Sequence, residues 1–260
     1  GDDLLEPGPG ADRVHGGIGR DTVSYGDDAG IGQGVAVDLE SGAATGRDGA
    51  TDLLVSIEGA TGSDGDDTLL GDGGDNVLAG GAGDDRLAGR AGADTLRGGS
   101  GNDLLEGEAG ADELNGQGGD DTLAGGDGDD ALAGSSGDDT LSGGQGDDVL
   151  TGGSGADLLD GGPGRDQASW KFSGTVVSVD LETGIATGGT ATGDSLAGIE
   201  DLAGSAHADL LAGDGTANRL YGREGDDPLL GRAGADSLYG GAGEDTLDGG
   251  DGDDRVFGDP

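Results

Sequence analysis

A nine-residue period constrains this chain more than any other feature. With an aspartate taken as the sixth position of each unit, the central block reads Asp67, Asn76, Asp85, Asp94, Asp103, Asp112, Asp121, Asp130, Asp139, Asp148, Asp157 and Asp166. Glycine stands five residues before each of them, from Gly62 to Gly161, and again two residues before, from Gly65 to Gly164. Two residues after each comes an apolar residue, Leu69 through Leu159, and the series closes on Ala168. A shorter block opens the chain at Asp3, Asp12 and Asp21. A third closes it at Asp209, Asn218, Asp227, Asp236, Asp245 and Asp254. The unit is G-x-x-G-x-D-x-L-x.

One leucine in nine is too sparse for an amphipathic helix, and the glycines oppose a long one. The x-Leu-x triplet suits a very short strand with its central side chain inward, and the six residues before it suit a turn. If each turn reverses the chain, two units complete a coil, and successive coils stack as parallel strands about 4.8 Å apart. Leucines then line a thin two-sided core, and the aspartates line both edges, each beside the one a coil away. Two such carboxylates with glycine-loop carbonyls between them make an all-oxygen cage of about six ligands, which suits Ca²⁺ better than the reluctantly dehydrated Mg²⁺.

Charge points the same way. Acidic residues outnumber basic ones 55 to 12, for a formal charge of -43, and 66 residues are glycine. Such a chain repels itself and loses much entropy on ordering, so cations must neutralise it before it folds. Nucleic acid and anionic membrane surfaces are disfavoured as partners. The absence of cysteine removes disulfides, thiolate zinc sites and iron–sulfur clusters. No apolar run is long enough to span a membrane. No signal peptide opens the chain, and both ends, Gly1–Asp3 and Gly258–Pro260, fall inside a unit, as expected of a trimmed or processed fragment.

These repeats closely resemble the RTX family, the hemolysin-type calcium-binding repeats of secreted bacterial proteins, over essentially the whole chain. The resemblance implies an all-β, right-handed parallel β-roll with calcium held between loops one coil apart. Carried onto this sequence, one site uses the carboxylates of Asp85 and Asp103 and the carbonyls of Gly81, Gly83, Gly98 and Ser100. The same role falls to Asp3, Asp12, Asp21, Asp67, Asn76, Asp94, Asp112, Asp121, Asp130, Asp139, Asp148, Asp157, Asp166, Asp209, Asp227, Asp236, Asp245 and Asp254. One ion for each pair of units a coil apart gives on the order of 15 ions, which would bring the charge to about -13. Asn76 and Asn218 offer no charge, His207 fills a glycine slot and Pro228 follows Asp227, so sites touching them are exceptions to the pattern.

The organisation expected is a first repeat block at 1–25, a spacer at 26–61, the twelve-unit roll at 62–169, a second spacer at 170–203 and a third block at 204–260. The spacers are duplicates. Residues 35–46, VAVDLESGAATG, match 177–188, VSVDLETGIATG, and 52–63, DLLVSIEGATGS, match 194–205, DSLAGIEDLAGS, all at an offset of 142. Val35, Val37 and Leu39, like Val177, Val179 and Leu181, alternate as in strands with one buried face, which Ile57 and Ile199 continue. The spacers are expected to dock on or extend the roll, with Tyr25, Trp170 and Phe172 capping its layers.

No catalytic constellation stands out. Acidic pairs occur everywhere, the two histidines form no H-E-x-x-H motif, and the glycine loops lack the G-K-[ST] ending of phosphate loops. The expected function is a calcium-binding β-roll, without enzymatic activity, that folds after export as the folding and secretion module of a larger secreted protein. Its expected partners are calcium and, through the parent protein, a type I secretion machinery, and the roll is expected to be monomeric. The alternative is a structural or adhesive rod about 70 Å long at a cell surface.

Overall fold

Strands pair in parallel at an offset of 18 residues, so that like positions of alternate units sit side by side: Leu87 lies between Leu69 and Leu105, and Leu96 between Leu78 and Leu114. The computed structural model describes residues 1–26, 34–46 and 48–258, so part of the first spacer and Asp259–Pro260 of the closing partial unit lie outside the described residues. The chain packs as two units, 1–131 and 132–260.

In residues 1–131, odd and even units feed two sheets. One takes Thr22–Ser24, Gly59–Thr61, Val77–Ala82, Thr95–Ser100 and Glu113–Gly118; the other takes Thr68–Leu70, Arg86–Ala91, Leu104–Ala109 and Thr122–Asp127. Residues 132–260 repeat the plan with Val149–Ser154, Gln167–Ser169, Asp201–Ala203, Arg219–Glu224 and Ser237–Ala242 against Thr140–Gln145, Leu158–Asp160, Leu210–Ala212, Pro228–Leu230 and Thr246–Asp248. This is an all-β parallel solenoid, consistent with the right-handed roll. Its core is the inward leucine of each unit, fully buried from Leu69 to Leu159 and again from Leu211 to Leu238. Among the described residues no helix is long and apolar enough to cross a membrane.

The strands of the regular block run six residues rather than the three expected. Pairing continues past the x-Leu-x triplet, with Arg90 beside Glu108 and Ala91 beside Ala109. The glycine pattern allows this. Gly81 and Gly83, the second and fourth residues of their unit, take φ of 120° and 113°, a region that residues with a Cβ enter at a cost. The loop thereby turns while its backbone stays stacked on the coil beside it.

Each spacer adds three strands to one sheet, while the other sheet pairs straight across it, Thr22–Ser24 with Gly59–Thr61 and Gln167–Ser169 with Asp201–Ala203. In the first, Ala36–Asp38, Ala43–Thr45 and Thr51–Val55 form an antiparallel meander set into one sheet between Arg13–His15 and Thr68–Leu70. In the second, Ser178–Asp180, Ile185–Thr187 and Ser195–Ala197 do the same between Leu158–Asp160 and Leu210–Ala212. Val35, Val37, Leu39 and Ile57, and Val177, Val179 and Ile199, face the core, and Ala44 and Ala186 pack opposite Val37 and Val179.

Tyr25 and Trp170 are buried, but Phe172 is not. It sits in a turn, 79% exposed, with the Lys171 ammonium 4.8 Å from its ring centre. The remaining aromatics form a ladder on the outer face of residues 132–260. Tyr221, Tyr239 and Phe257 stack at 4.8 and 4.9 Å with rings 7° apart, because parallel pairing puts equal positions side by side.

Candidate metal centre

Apart from Asp3 and Asp12, which are exposed in the first coil, the sixth-position carboxylates are not solvated edges. Each points one oxygen at the backbone of the coil before it. The Asp85 N–H donates to Asp103 Oδ1 at 2.8 Å, and the Asp94 N–H to Asp112 Oδ1 at 2.7 Å. The same bond joins Asp3 to Asp21, Asp67 to Asp85, Asn76 to Asp94, Asp103 to Asp121 and Asp112 to Asp130. In residues 132–260 it joins Asp139 to Asp157, Asp148 to Asp166, Asp209 to Asp227, Asp227 to Asp245, Asn218 to Asp236 and Asp236 to Asp254. The residues expected to pair one coil apart are thus in direct contact.

The second oxygen has no such donor. Oδ2 of Asp21, Asp85, Asp94, Asp103, Asp112, Asp157, Asp166, Asp227, Asp236 and Asp245 is buried without a hydrogen-bond partner. A buried carboxylate oxygen left unpaired is costly, and a row of them demands a cation. Around it are backbone carbonyls. A Cβ placed on Gly80 would strike Asp85 Oδ2 and come within 2.7 Å of the Gly98 carbonyl oxygen, so these two oxygens converge on one point. The arrangement recurs at Gly107, with Asp112 Oδ2 and the Gly125 carbonyl, and at Gly143, with Asp148 Oδ2 and the Gly161 carbonyl. Of the other expected carbonyls, Ser100 accepts the Gly83 N–H at 2.9 Å, while those of Gly81 and Gly83 lie against Gly99 and Gly101 of the next coil. Among the described residues no three histidine, cysteine or acidic side chains are grouped so as to hold a metal ion by themselves. The donor set is mixed carboxylate and carbonyl, the choice of a hard divalent cation.

Some positions depart from this. Asp67 accepts from the Ser63 N–H and hydroxyl and the Val35 N–H; Asp209 accepts from the Ser205 N–H and hydroxyl and the Val177 N–H. Where a spacer interrupts the ladder, its own acids complete it. The Asp12 and Asp21 N–H groups donate to Asp52 and Glu58, and those of Asp157 and Asp166 to Asp194 and Glu200. These four acids were missed by the sequence reading, yet the duplicated segments hold them at equal places. Pro228 has no N–H to donate, and pairing with the preceding strand, Leu210–Ala212, begins only at Leu229, although Pro228 pairs with Thr246 on the other side.

A family model described as the RTX calcium-binding nonapeptide repeat (4 copies) matches residues 1–31, 61–96, 97–132, 133–168, 194–229, 203–238 and 230–260. The chain belongs to the RTX calcium-binding repeat family. The RTX matches leave out most of both spacers, including the whole of the first meander and two of the three strands of the second. A search of curated proteins gives no significant match. The RTX roll binds calcium, and the residues present fit the ion: Oδ2 of the sixth-position aspartates and the first-position glycine carbonyls would hold it.

Burial also sets the protonation of these acids. It pushes Asp85 up to about 7 and Asp94, Asp103, Asp166 and Asp227 up to about 6, opposed by the N–H bond each accepts. A carboxylate raised on folding favours the fold below its unfolded value, near 4, and withdraws that support as pH rises through 6 to 7. Calcium-depleted RTX roll should therefore show more β-structure at pH 4.5 than at pH 7.5. Calcium binding near pH 6 should release protons. Circular dichroism of depleted protein against pH checks the sign, and structure gained on raising the pH would contradict it.

Proposed function

We propose that this calcium-binding roll is the calcium-triggered folding module of a larger secreted protein. The observation that carries the reading is the row of buried, donorless Oδ2 atoms in a chain of charge -43. Such a chain has no stable ground state until a divalent cation pairs those oxygens, so binding free energy becomes folding free energy. Extracellular calcium modules bind at roughly 10⁻⁴ to 10⁻³ M. Cytosolic calcium lies far below that, so the chain stays unfolded inside the cell, passes a type I secretion channel with its parent protein, and folds outside. The segment itself catalyses nothing in this reading; activity belongs to neighbouring domains. On the order of 15 ions is the expected load.

The test is a calcium titration of the chelated chain followed by far-UV circular dichroism, with magnesium as control. A sharp calcium-selective transition from coil to β-structure at sub-millimolar to millimolar calcium is expected. A chain already folded in chelator, or one that magnesium folds equally well, would refute the trigger.

A further inference from the structure

The coil after each spacer breaks the repeat pattern, and breaks it the same way twice. Asn76 and Asn218 replace aspartate. Their Nδ2 groups donate to the Glu58 and Glu200 carbonyls at 3.2 and 2.9 Å, where a carboxylate would set oxygen against oxygen. In the next unit on that edge, the second position holds Arg90 or Arg232. Each adopts the left-handed φ, 78° and 75°, that glycine holds in many other units. Their side chains turn inward on the spacer. Arg90 Nη1 donates to the Gly71 carbonyl and to Asp38 Oδ1 at 2.9 Å, with Glu40 Oε2 at 3.1 Å. Arg232 donates to the Gly213 carbonyl at 2.6 Å and to both Asp180 oxygens at 2.8 and 2.7 Å, with Glu182 Oε2 at 3.2 Å.

Gly71 and Gly213 are first-position glycines, equivalent to Gly98, whose carbonyl meets Asp85 Oδ2 in the regular slot. Their carbonyls meet a guanidinium instead. The surroundings match the metal slot, a glycine carbonyl plus carboxylates, and the positive charge is supplied by the chain. We propose that Arg90 and Arg232 are built-in cations that take calcium's place at the two spacer junctions, which hold no ion of their own. The planar guanidinium suits this because its donors reach a carbonyl and a carboxylate together. On the opposite edge of the same coils, Ser63 and Ser205 already satisfy Asp67 and Asp209, so the first coil after each spacer is wired by its own side chains.

This rests on calcium binding by the roll but fails separately from it. Calcium is counted on the full chain by native mass spectrometry at saturation. Arg90→Gly and Arg232→Gly should each raise the count by one and the double variant by two, because removal of the guanidinium reopens a slot. Arg223→Gly is the charge-matched control: Arg223 has the same backbone position (φ 87°) and, among the described residues, no ion pair, so its count should equal that of the unaltered chain. An unchanged count in Arg90→Gly and Arg232→Gly, or an equal rise in the control, overturns the proposal. A crystal of the unaltered protein grown in calcium decides without any variant. No ion beside the Gly71 or Gly213 carbonyl is expected, and an ion there with the arginine displaced overturns it. A chain that binds no calcium at all would remove the metal reading of the whole roll.

Discussion

Gly107→Ala should lower the stability of the calcium-loaded roll by about 3 kcal/mol, the upper end of ordinary overpacking costs. The added methyl would lie 2.5 Å from Asp112 Oδ2 and 2.6 Å from the Gly125 carbonyl oxygen. Neither neighbour can give way freely. Asp112 is held by the Asp94 N–H at 2.7 Å, and the Gly125 carbonyl belongs to the strand Thr122–Asp127 paired with Leu104–Ala109. The methyl also intrudes on the point where the two oxygens would meet the metal, so the calcium midpoint should rise sharply. Gly73→Ala is the control. Nothing lies within 4 Å of its added carbon and its φ is not positive, so it should be neutral or stabilising by up to about 1 kcal/mol through the unfolded chain. Urea unfolding of both variants in saturating calcium separates them; equal midpoints would mean that first-position glycine is not demanded by packing.

The larger loss is expected for Trp170→Ala. Trp170 is among the largest fully buried side chains, and its Nε1 donates to Asp194 Oδ2 at 2.9 Å while its N–H donates to the Ala203 carbonyl. Truncation removes about 3–5 kcal/mol of packing and leaves Asp194 short of a donor at about 1–3 kcal/mol more. Trp170→Phe separates the two effects, since it keeps most of the apolar volume and loses the donor. Burial already pushes Asp194 up to about 6, against the opposing pull of the Trp170 bond, so Phe at 170 would raise it further. The stability difference between Trp170→Phe and the parent should therefore be larger at pH 7.5 than at pH 5, where the carboxyl is increasingly neutral. Equal losses at both pH values would show that the indole bond does not govern that carboxylate.

The roll was legible because its information repeats. Leu87, Leu105 and Leu123 occupy one position in three units, so a single inference about one leucine placed them all, and the 18-residue coil followed. The pairing of Asp85 with Asp103 came from the same arithmetic. The spacer meanders were not legible to the same degree. Val37 announced a strand, but its antiparallel neighbour Ala43–Thr45 carries only Ala44 to the core, too small to mark a hydrophobic period. The orientation of each carboxylate was also hidden, because sequence spacing says which residues meet and not which oxygen points where. Asn76 read as a weakened aspartate for this reason. Only the Glu58 carbonyl facing it shows why an amide stands there.

The stacked rings of Tyr221, Tyr239 and Phe257 and the lone indole of Trp170 give the molecule two separate optical clocks within residues 132–260. Rings less than 5 Å apart and nearly parallel couple electronically, so the near-ultraviolet dichroism of the tyrosines reports when the third block stacks. Indole emission reports when the second spacer closes over Trp170. Stopped-flow mixing with calcium, read at both signals, can therefore time the spacer against the repeats it precedes with no label attached.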